Sequence, residues 1–382
     1  MTALNRETDH QHWMNYAISL AKKGLYTTHP NPRVGCVLIR DNQIVGEGYH
    51  RKAGEAHAEI NAIASAKGRT KGCTAYVTLE PCSHHGKTGP CSQALIDAQI
   101  STVVYGMQDP NPTVMGRGLK QLEDAGINVI GPILSDEAEA LNPGFIKRMT
   151  EGLPFIRLKL AMSLDGRTAM ASGESKWITG PEARLDVQRL RAQSDAIVTG
   201  VGSVIIDDPS MTVRINNHDK TVEPHTVRQP RRVVMDSSLA TPPEAKILSG
   251  DGNRCVFYLP EQTSDEAKKS LEHLGVELLA GETAVDGKID LVAAMATLAD
   301  QEINEVLVET GAVLAGAFLQ AGLVDEIVVY MAAKLLGSNA RALFELPLET
   351  MEQAVQLHLS AMDKVGDDIK LVFTPDYIDE AD

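Results

Sequence analysis

Three side chains that bind soft divalent metals, His57, Cys82 and Cys91, stand at separate turns of the chain, and a carboxylate, Glu59, lies two residues from the first. One ion held by all three obliges the segments carrying them to converge, and this constrains the fold more than any other feature. One imidazole and two thiolates suit zinc and leave a fourth position for water, whose pKa falls from about 15.7 to roughly 7 in such a site. Glu59 is too close in sequence to His57 to chelate with it on one helical face, so a proton shuttle is its better role. A closed structural Cys₂His₂ site with His84 or His85 as fourth ligand is the competing reading, and it leaves Glu59 without a role. Ordinary thiols and a surface histidine in accidental order is the plainest reading; it has to treat the agreement of four residue types as chance.

Hydrophobic periodicity puts these residues at the ends of strands. Trp13, Tyr16, Ala17 and Leu20 recur at helical spacing, so residues 9–23 read as an amphipathic helix stopped by Gly24. Val34 to Arg40 and Ile44 to Tyr49, separated by Asp41-Asn42, read as a hairpin. His57 to Ala66 reads as a helix, Cys73 to Leu79 as a strand and Cys91 to Ala98 as a helix. Two further alternations follow, Thr102 to Met107 with Gly116 to Ala125, and Ile127 to Ile130 with Ser135 to Leu141. That is the pattern of an α/β layer domain. All three ligands fall at strand-to-helix junctions, where the partial positive charge of helix N-termini favours thiolates. The segment Thr28 to Gly35 is a loop by its prolines and glycine, and is read either as a plain turn or as one in which Asn31 faces a pyrimidine edge.

A boundary falls near Met149 to Pro154, giving domains 1–150 and 151–382. The second begins with a strand, Phe155 to Ala161. Then come a helix at Ala183 to Ala192, strands at Ala196 to Thr199, Arg232 to Met235, Cys255 to Leu259 and Val306 to Val308, and a helix at Leu314 to Ala321. Strands at Val324 to Met331 and Lys370 to Phe373 close the pattern. Asp207 to Gln229 reads as loop, and Pro375 to Asp382 as a frayed acidic tail. Gly200-Val201-Gly202 is followed by Ser203-Val204-Ile205, so a Gly-x-Gly-x-x-Gly dinucleotide fingerprint is missing. Glu309-Thr310-Gly311, with Gly316 beyond it, offers a strand-to-helix turn whose N–H groups suit pyrophosphate; a helix-start glycine without function is the plainer reading.

The 382 residues are 43% hydrophobic and 23% charged, ordinary for a soluble globular protein. No run approaches the roughly 18 apolar residues of a membrane span, and the first twelve residues lack an apolar signal core; a cytoplasmic location without membrane contact is expected. Five cysteines, an odd and sparse set, suit reduced thiols and metal binding better than disulfides. Net charge is −15, with 15 basic against 14 acidic residues in 1–150 and 21 against 37 thereafter. That balance argues against extended nucleic-acid binding. Within the acidic part, residues 157–214 carry eight basic side chains against seven acidic ones, a local concentration suited to small phosphorylated ligands.

His-x-Glu followed by Pro-Cys and a second cysteine is the signature of zinc nucleobase deaminases, except that eight residues separate Cys82 from Cys91 where two are usual. Three segments carry a closer likeness: Val77 to Thr88 (Val-Thr-Leu-Glu-Pro-Cys-Ser-His-His-Gly-Lys-Thr), His29-Pro30-Asn31-Pro32, and Lys159 to Arg167 (Lys-Leu-Ala-Met-Ser-Leu-Asp-Gly-Arg). On these the chain resembles the bifunctional riboflavin-biosynthesis deaminase/reductases over essentially its whole length. The resemblance implies an α/β protein of two domains, an N-terminal cytidine-deaminase-like three-layer αβα domain and a C-terminal dihydrofolate-reductase-like α/β domain. It implies one Zn²⁺ per chain, NADPH, a phosphorylated ribosylaminopyrimidine substrate and a homo-oligomer, dimer or tetramer. Two consecutive steps follow. The 2-amino group is removed hydrolytically, with Glu59 carrying a proton to a ring nitrogen and then to departing ammonia. The ribose C1′ is then reduced with NADPH, opening the sugar to a ribityl chain.

Carried over position by position, the resemblance places Ala161, Trp177, Ser203, Asp207 and the run Gly311, Ala312, Val313, Leu314, Ala315, Gly316 and Ala317 along NADPH. It places Ser175, Arg191, Met211, Arg214 and Glu309 around the substrate. Arg191 and Arg214 suit a phosphate, since a guanidinium presents paired donors; a surface helix charge is the alternative for Arg191. Lys159 is read either near the ribose C1′ oxygen or as a solvent-facing strand lysine, Trp177 either at the cofactor or as core filler, and Asp207 needs no function beyond its turn. The chain departs from the family pattern at Gly311-Ala312-Val313, where Gly-Pro-Thr is frequent, at Met211, where leucine is expected, and at Gly89-Pro90, where two prolines are usual. Two other functions compete: a nucleoside or nucleotide deaminase whose second domain only regulates or dimerises, and a non-catalytic zinc-binding nucleotide sensor. Glu59 beside the ligands speaks against the sensor, and the near-neutral charge of 1–150 against a tRNA deaminase.

Overall fold

The computed structural model describes residues 3–83, 89–112, 114–215 and 227–377, with side chains from residue 9 onward. The chain forms two compact units, Met1–Gly152 and Leu153–Asp382. Gly152, in the left-handed conformation, ends the last helix of the first.

In the first unit α1 (Ala3–Ala21) leads into the hairpin β1 (Gly35–Arg40) and β2 (Gln43–Tyr49). Asp41 and Asn42 both take positive φ, the two-residue turn whose twist matches the strands. Then follow α2 (Ala58–Ser65), β3 (Thr74–Leu79), α3 (Cys91–Asp97), β4 (Thr102–Met107), α4 (Arg117–Asp124), β5 (Asn128–Ile130), α5 (Ser135–Glu139) and α6 (Pro143–Glu151). The sheet order is β2-β1-β3-β4-β5, with β1 antiparallel to β2 and β3, and β3, β4 and β5 parallel. Strand alternation splits its core. Cys36, Leu38, Ala75, Val77 and Val103 face α2, α3 and α4, while Val37, Ile39, Tyr76 and Val104 face α1. The result is the expected three-layer αβα sandwich.

The buried stripe of α1 is Met14, Ala17, Ile18, Leu20 and Ala21, so Ala17 and Leu20 of the expected stripe are buried and its two aromatics are not. Trp13 and Tyr16 flank it, and their polar tips reach Asn42 (3.3 Å) and Glu47 (2.5 Å) on the hairpin. Aromatic rings with a polar edge sit best where one side is wet. Two glycines bring α2 onto β2: a Cβ on Gly46 would lie 2.4 Å from the Ala62 carbonyl oxygen, and one on Gly48 2.5 Å from the Ala62 nitrogen.

The second unit comprises β6 (Phe155–Ser163), β7 (Arg167–Ala169), α7 (Pro181–Gln193), β8 (Ala196–Gly200), α8 (Val201–Asp207), β9 (Arg231–Met235), β10 (Arg254–Tyr258) and α9 (Asp265–Glu272). It continues with β11 (Glu277–Ala280), α10 (Leu291–Asp300), β12 (Glu305–Glu309), α11 (Ala312–Gln320), β13 (Glu326–Ala332), β14 (Arg341–Ala342), β15 (Gln356–Val365) and β16 (Asp368–Asp376). Nine strands order as β11-β10-β9-β8-β12-β6-β13-β16-β15, parallel through β13 and antiparallel in the last two. Ile156, Leu158, Val198, Val306 and Val308 face α10 and α11, whereas Ile197, Val234 and Leu307 face α7. β7 and β14 form a separate two-stranded ribbon.

Several elements were not anticipated. Gly200-Val201-Gly202 opens the short helix α8, and β15 was overlooked because its alternation is interrupted by a bulge between Leu359 and Ala361. Pro375 and Asp376 are not a frayed tail: they pair with Leu357 and Gln356, and the Tyr377 hydroxyl bonds the Val324 backbone at 3.0 Å. The rest of that segment, 378–382, and 216–226 of the expected loop lie outside the described residues.

Two candidate active sites

His57 is the N-cap of α2, Glu59 the second residue of that helix, Cys82 follows β3, and Cys91 is the first residue of α3. The His57 Nδ1 lies 3.3 Å from the Cys91 Sγ and 3.7 Å from the Cys82 Sγ, and the three ligand atoms all fall within 4.8 Å of one another. The Cys91 N–H, at the start of α3, donates to the Cys82 sulfur at 3.4 Å. The Cys91 thiol proton pulls the Cys82 pKa down to about 4, helped by His57 and the same N–H, while that shared proton and burial push Cys91 far up. Two sulfurs this close cannot both ionise without a cation between them, and that is the chemistry zinc relieves. The donor set, its spacing and its charge fit Zn²⁺. His84 and His85, the alternative fourth ligands, lie outside the described residues.

Glu59 is 3% exposed, and burial, then the Cys82 charge, lifts its carboxyl to about 7. A carboxyl so placed gives and takes a proton near neutrality. Asn31 reaches this site through a residue the sequence reading missed, His50. The Asn31 side-chain nitrogen lies 3.1 Å from the His50 Nε2, the His50 Nδ1 lies 3.1 Å from the Ala56 carbonyl, and the His50 ring stands edge-on to His57 at 5.4 Å. Burial lowers the His50 pKa, so Nδ1 carries the proton to Ala56 and Nε2 accepts from the Asn31 amide. Nothing in the sequence marks His50 apart from its place at the end of β2.

The second site is a cavity of about 1560 Å³ in the second unit, at the C-terminal ends of the parallel strands. Open α/β sheets bind ligands there. Lys159, Ala161, Ser175, Trp177, Ser203, Asp207, Met211, Glu309, Gly311, Ala312, Val313, Leu314 and Ala317 all line it. Ala315 and Gly316 do not: Ala315 packs into the core under α11, and a Cβ on Gly316 would lie 2.0 Å from the Glu345 carbonyl oxygen. Arg191 lies outside the lining as well. It is 8% exposed and forks onto Glu309, Nε to Oε1 at 2.6 Å and Nη2 to Oε2 at 2.9 Å, with Nη1 on the Thr212 carbonyl at 3.1 Å. Arg191 is therefore no surface helix charge. Arg214 is exposed, with its Nη1 on the Ser210 hydroxyl at 2.8 Å.

Lys159 is no solvent-facing lysine either. Its Nζ stands 3.9 Å from Glu309, and burial lowers its pKa against the pull of that carboxylate. Trp177 is 64% exposed, so it fills no core; the Arg184 guanidinium stacks 4.5 Å from its ring. Asp207 accepts from the Ser175 hydroxyl at 3.3 Å. Ser237 and Ser238 also line the cavity, unforeseen, as does Thr310 of the expected glycine turn. A signal existed: each follows the C-terminal end of a parallel strand, as Gly200 nearly does. The open sheet, the glycine turn into α11 and the volume fit an extended dinucleotide beside a small substrate.

Comparison with known proteins finds relatives for both units. The family model described as the cytidine and deoxycytidylate deaminase zinc-binding region matches residues 7–107, and that of the RibD C-terminal domain matches residues 154–371. Riboflavin biosynthesis protein RibD of Escherichia coli (strain K12) is 50% identical over 366 residues, covering 94% of this chain and 98% of that protein. The RibD of Bacillus amyloliquefaciens is 41% identical, covering 96% of each. Among solved structures, Acinetobacter baumannii RibD matches with a TM-score of 0.90 at 46% identity, over 97% of this chain and 100% of that one. A diaminohydroxyphosphoribosylaminopyrimidine deaminase/5-amino-6-(5-phosphoribosylamino)uracil reductase from Thermotoga maritima matches with a TM-score of 0.83 at 31% identity, over 97% and 99%. With both halves matched and near-complete coverage of its relatives, the chain belongs to the RibD family of riboflavin biosynthesis proteins.

Proposed function

We propose that the chain carries out two consecutive steps of riboflavin biosynthesis: zinc-dependent hydrolytic deamination of a diaminopyrimidine ribosyl phosphate, then NADPH-dependent reduction of the product's ribosyl group to ribityl. The observation that carries this reading is the convergence of His57, Cys82 and Cys91 beside a buried Glu59 in one unit, with a strand-end cavity holding Lys159 and Glu309 in the other.

His57, Cys82 and Cys91 hold the metal, which when bound supplies an activated water at neutral pH. Glu59 would take one proton of that water to a ring nitrogen as the water oxygen bonds to C2, then carry the remaining hydroxyl proton to the amine, which leaves C2 as ammonia. Its carboxyl, 3% exposed and one residue beyond the start of α2, is placed for both transfers. Asn31, its amide oriented by His50, meets the polar edge of the pyrimidine. In the second unit Ala161, Trp177, Ser203, Asp207 and the turn Gly311 to Leu314 with Ala317 hold NADPH, which supplies hydride to C1′. Lys159 hands a proton to the ribose oxygen that leaves C1′, Glu309 holds that ammonium in place, and Arg191 keeps Glu309 ionised. Ser175 and Met211, which line the cavity, contact the substrate, and Arg214, exposed and with its Nη1 on the Ser210 hydroxyl, is the arm for its phosphate.

The reading includes a homo-oligomer, dimer or tetramer. β15 is the edge of the nine-stranded sheet and exposes Leu357, Leu359 and Met362, an apolar strand face of the kind that subunit contacts cover. A cytoplasmic location accords with five free cysteines. One incubation with the diaminopyrimidine ribosyl phosphate tests the function, with and without NADPH, following ammonia and NADPH absorbance separately. Ammonia release without NADPH, then NADPH loss that depends on the deaminated product, is expected. Zinc-loaded protein that releases no ammonia refutes the first step, and failure to oxidise NADPH with the deaminated product refutes the second.

A further inference from the structure

Glu80 is a carboxylate 3% exposed, two residues before Cys82, and takes no part in the proton transfers above. Its partners are main-chain N–H groups: Oε2 accepts from Gly116 at 2.9 Å and from Asp109 at 3.3 Å, and Oε1 from Gly118 at 3.0 Å. Gly116 is the N-cap of α4 and Gly118 its second residue, so the carboxylate seals the first turn of that helix, where the helix dipole also favours a negative charge. A buried carboxylate is costly unless its lone pairs are filled in this way.

What α4 touches gives this cap its meaning. Gly118 lies so close to the chain before the metal ligand that a Cβ there would fall 1.8 Å from the Pro81 carbonyl oxygen. One turn further on, Gln121 Oε1 lies 2.7 Å from the Ser92 hydroxyl, which also lies 3.0 Å from the Cys82 carbonyl oxygen. The Ser92 N–H donates to that same carbonyl at 3.1 Å. Ser92 follows Cys91, so α4 braces the backbone of both thiol ligands at once, and Glu80 anchors the brace.

We propose that Glu80 is a positioning residue for the metal, setting the separation of the Cys82 and Cys91 sulfurs through α4, Gln121 and Ser92. This rests on the zinc reading of the first site. The test is zinc affinity of the full-length protein by competition with a chromophoric chelator, with the cobalt-substituted absorption spectrum as a second readout. Glu80→Gln keeps the size but turns an amide donor toward N–H groups; a loss of about 10- to 100-fold in zinc affinity is expected, with a shifted sulfur-to-cobalt band. Gln121→Met removes the acceptor beside Ser92, together with an exposed 3.2 Å bond from Gln121 Nε2 to Gln93 Oε1, and about a two- to tenfold loss is expected. NADPH oxidation with supplied deaminated product stays at the wild-type rate in both. A purely architectural role would lower the melting temperature of the metal-free protein and leave the affinity and the cobalt spectrum of folded protein unchanged. Wild-type affinity and spectrum in both variants therefore overturn the proposal. Should Glu80→Gln not fold, Gln121→Met decides it by the same two outcomes. Wild-type protein that holds no zinc instead overturns the site reading itself.

Discussion

Replacing Arg191 by methionine isolates the Arg191–Glu309 pair, because methionine keeps most of the side-chain volume and removes the guanidinium. Both partners are 8% exposed, and the fork fills both carboxylate oxygens at 2.6 and 2.9 Å. Breaking a buried pair leaves one charge without compensation and costs about 3–5 kcal/mol. Lys159, 3.9 Å from Glu309, still offsets part of the charge, so the low end applies, about 3 kcal/mol. For a unit of this length that corresponds to a fall of roughly 6–12 °C in melting temperature. The pH dependence has a definite sign. In the wild type, burial alone would raise the Glu309 pKa, but Arg191 and Lys159 bring it below its ordinary value. Without Arg191 burial prevails, Glu309 takes up a proton as the pH falls, and the gap between variant and wild type narrows from neutral pH towards acid. Urea unfolding of the second unit, followed at neutral and mildly acidic pH, measures both quantities. A variant that loses less than about 1 kcal/mol at neutral pH, or whose deficit grows in acid, refutes the argument. Ammonia release is the internal control and is expected to be unchanged.

Three further outcomes are expected. Glu59→Gln retains zinc and the NADPH-dependent step but loses ammonia release by about 10²- to 10⁴-fold, as initial rates on metal-analysed protein will show. In the metal-free protein burial and the Cys82 charge hold Glu59 up at about 7 against an ordinary 4.5, so the folded state binds a proton the unfolded chain has released. This contribution to stability is complete below the ordinary value and disappears as the pH rises through about 7; chemical unfolding of chelated protein should show a shallower decline in Glu59→Gln than in wild type. Gly35→Ala puts a Cβ 2.0 Å from the Ala17 carbonyl oxygen and must push α1 off the sheet, costing about 3 kcal/mol in the first unit alone, visible as an earlier transition in a calorimetric scan.

The first site was readable in the chain because its ligands are chemically rare, stand at fixed offsets and sit on elements with strong periodicity. His57, Glu59, Cys82 and Cys91 needed only the strand-to-helix junctions to be brought together, and the structure places them there. His50 escaped notice because a histidine at a strand end has many uses; only its contacts with Asn31 and the Ala56 carbonyl give it one. Glu80 lies inside the segment Val77 to Thr88, yet its role depends on Gly116 and Gly118, more than thirty residues further along.

The second unit divides the same way. Local sequence determined its strand and helix alternation and the glycine turn before α11, since these rest on side-chain period and backbone freedom within a few residues. Tertiary structure decided which polar groups meet: Arg191 found Glu309 118 positions away and became a buried partner of a carboxylate, and Ala315 and Gly316 turned from the cavity into packing. The physical reason is range. Propensity and periodicity act between near neighbours, whereas a buried charge takes its partner, its protonation and its cost from whatever the sheet order brings beside it.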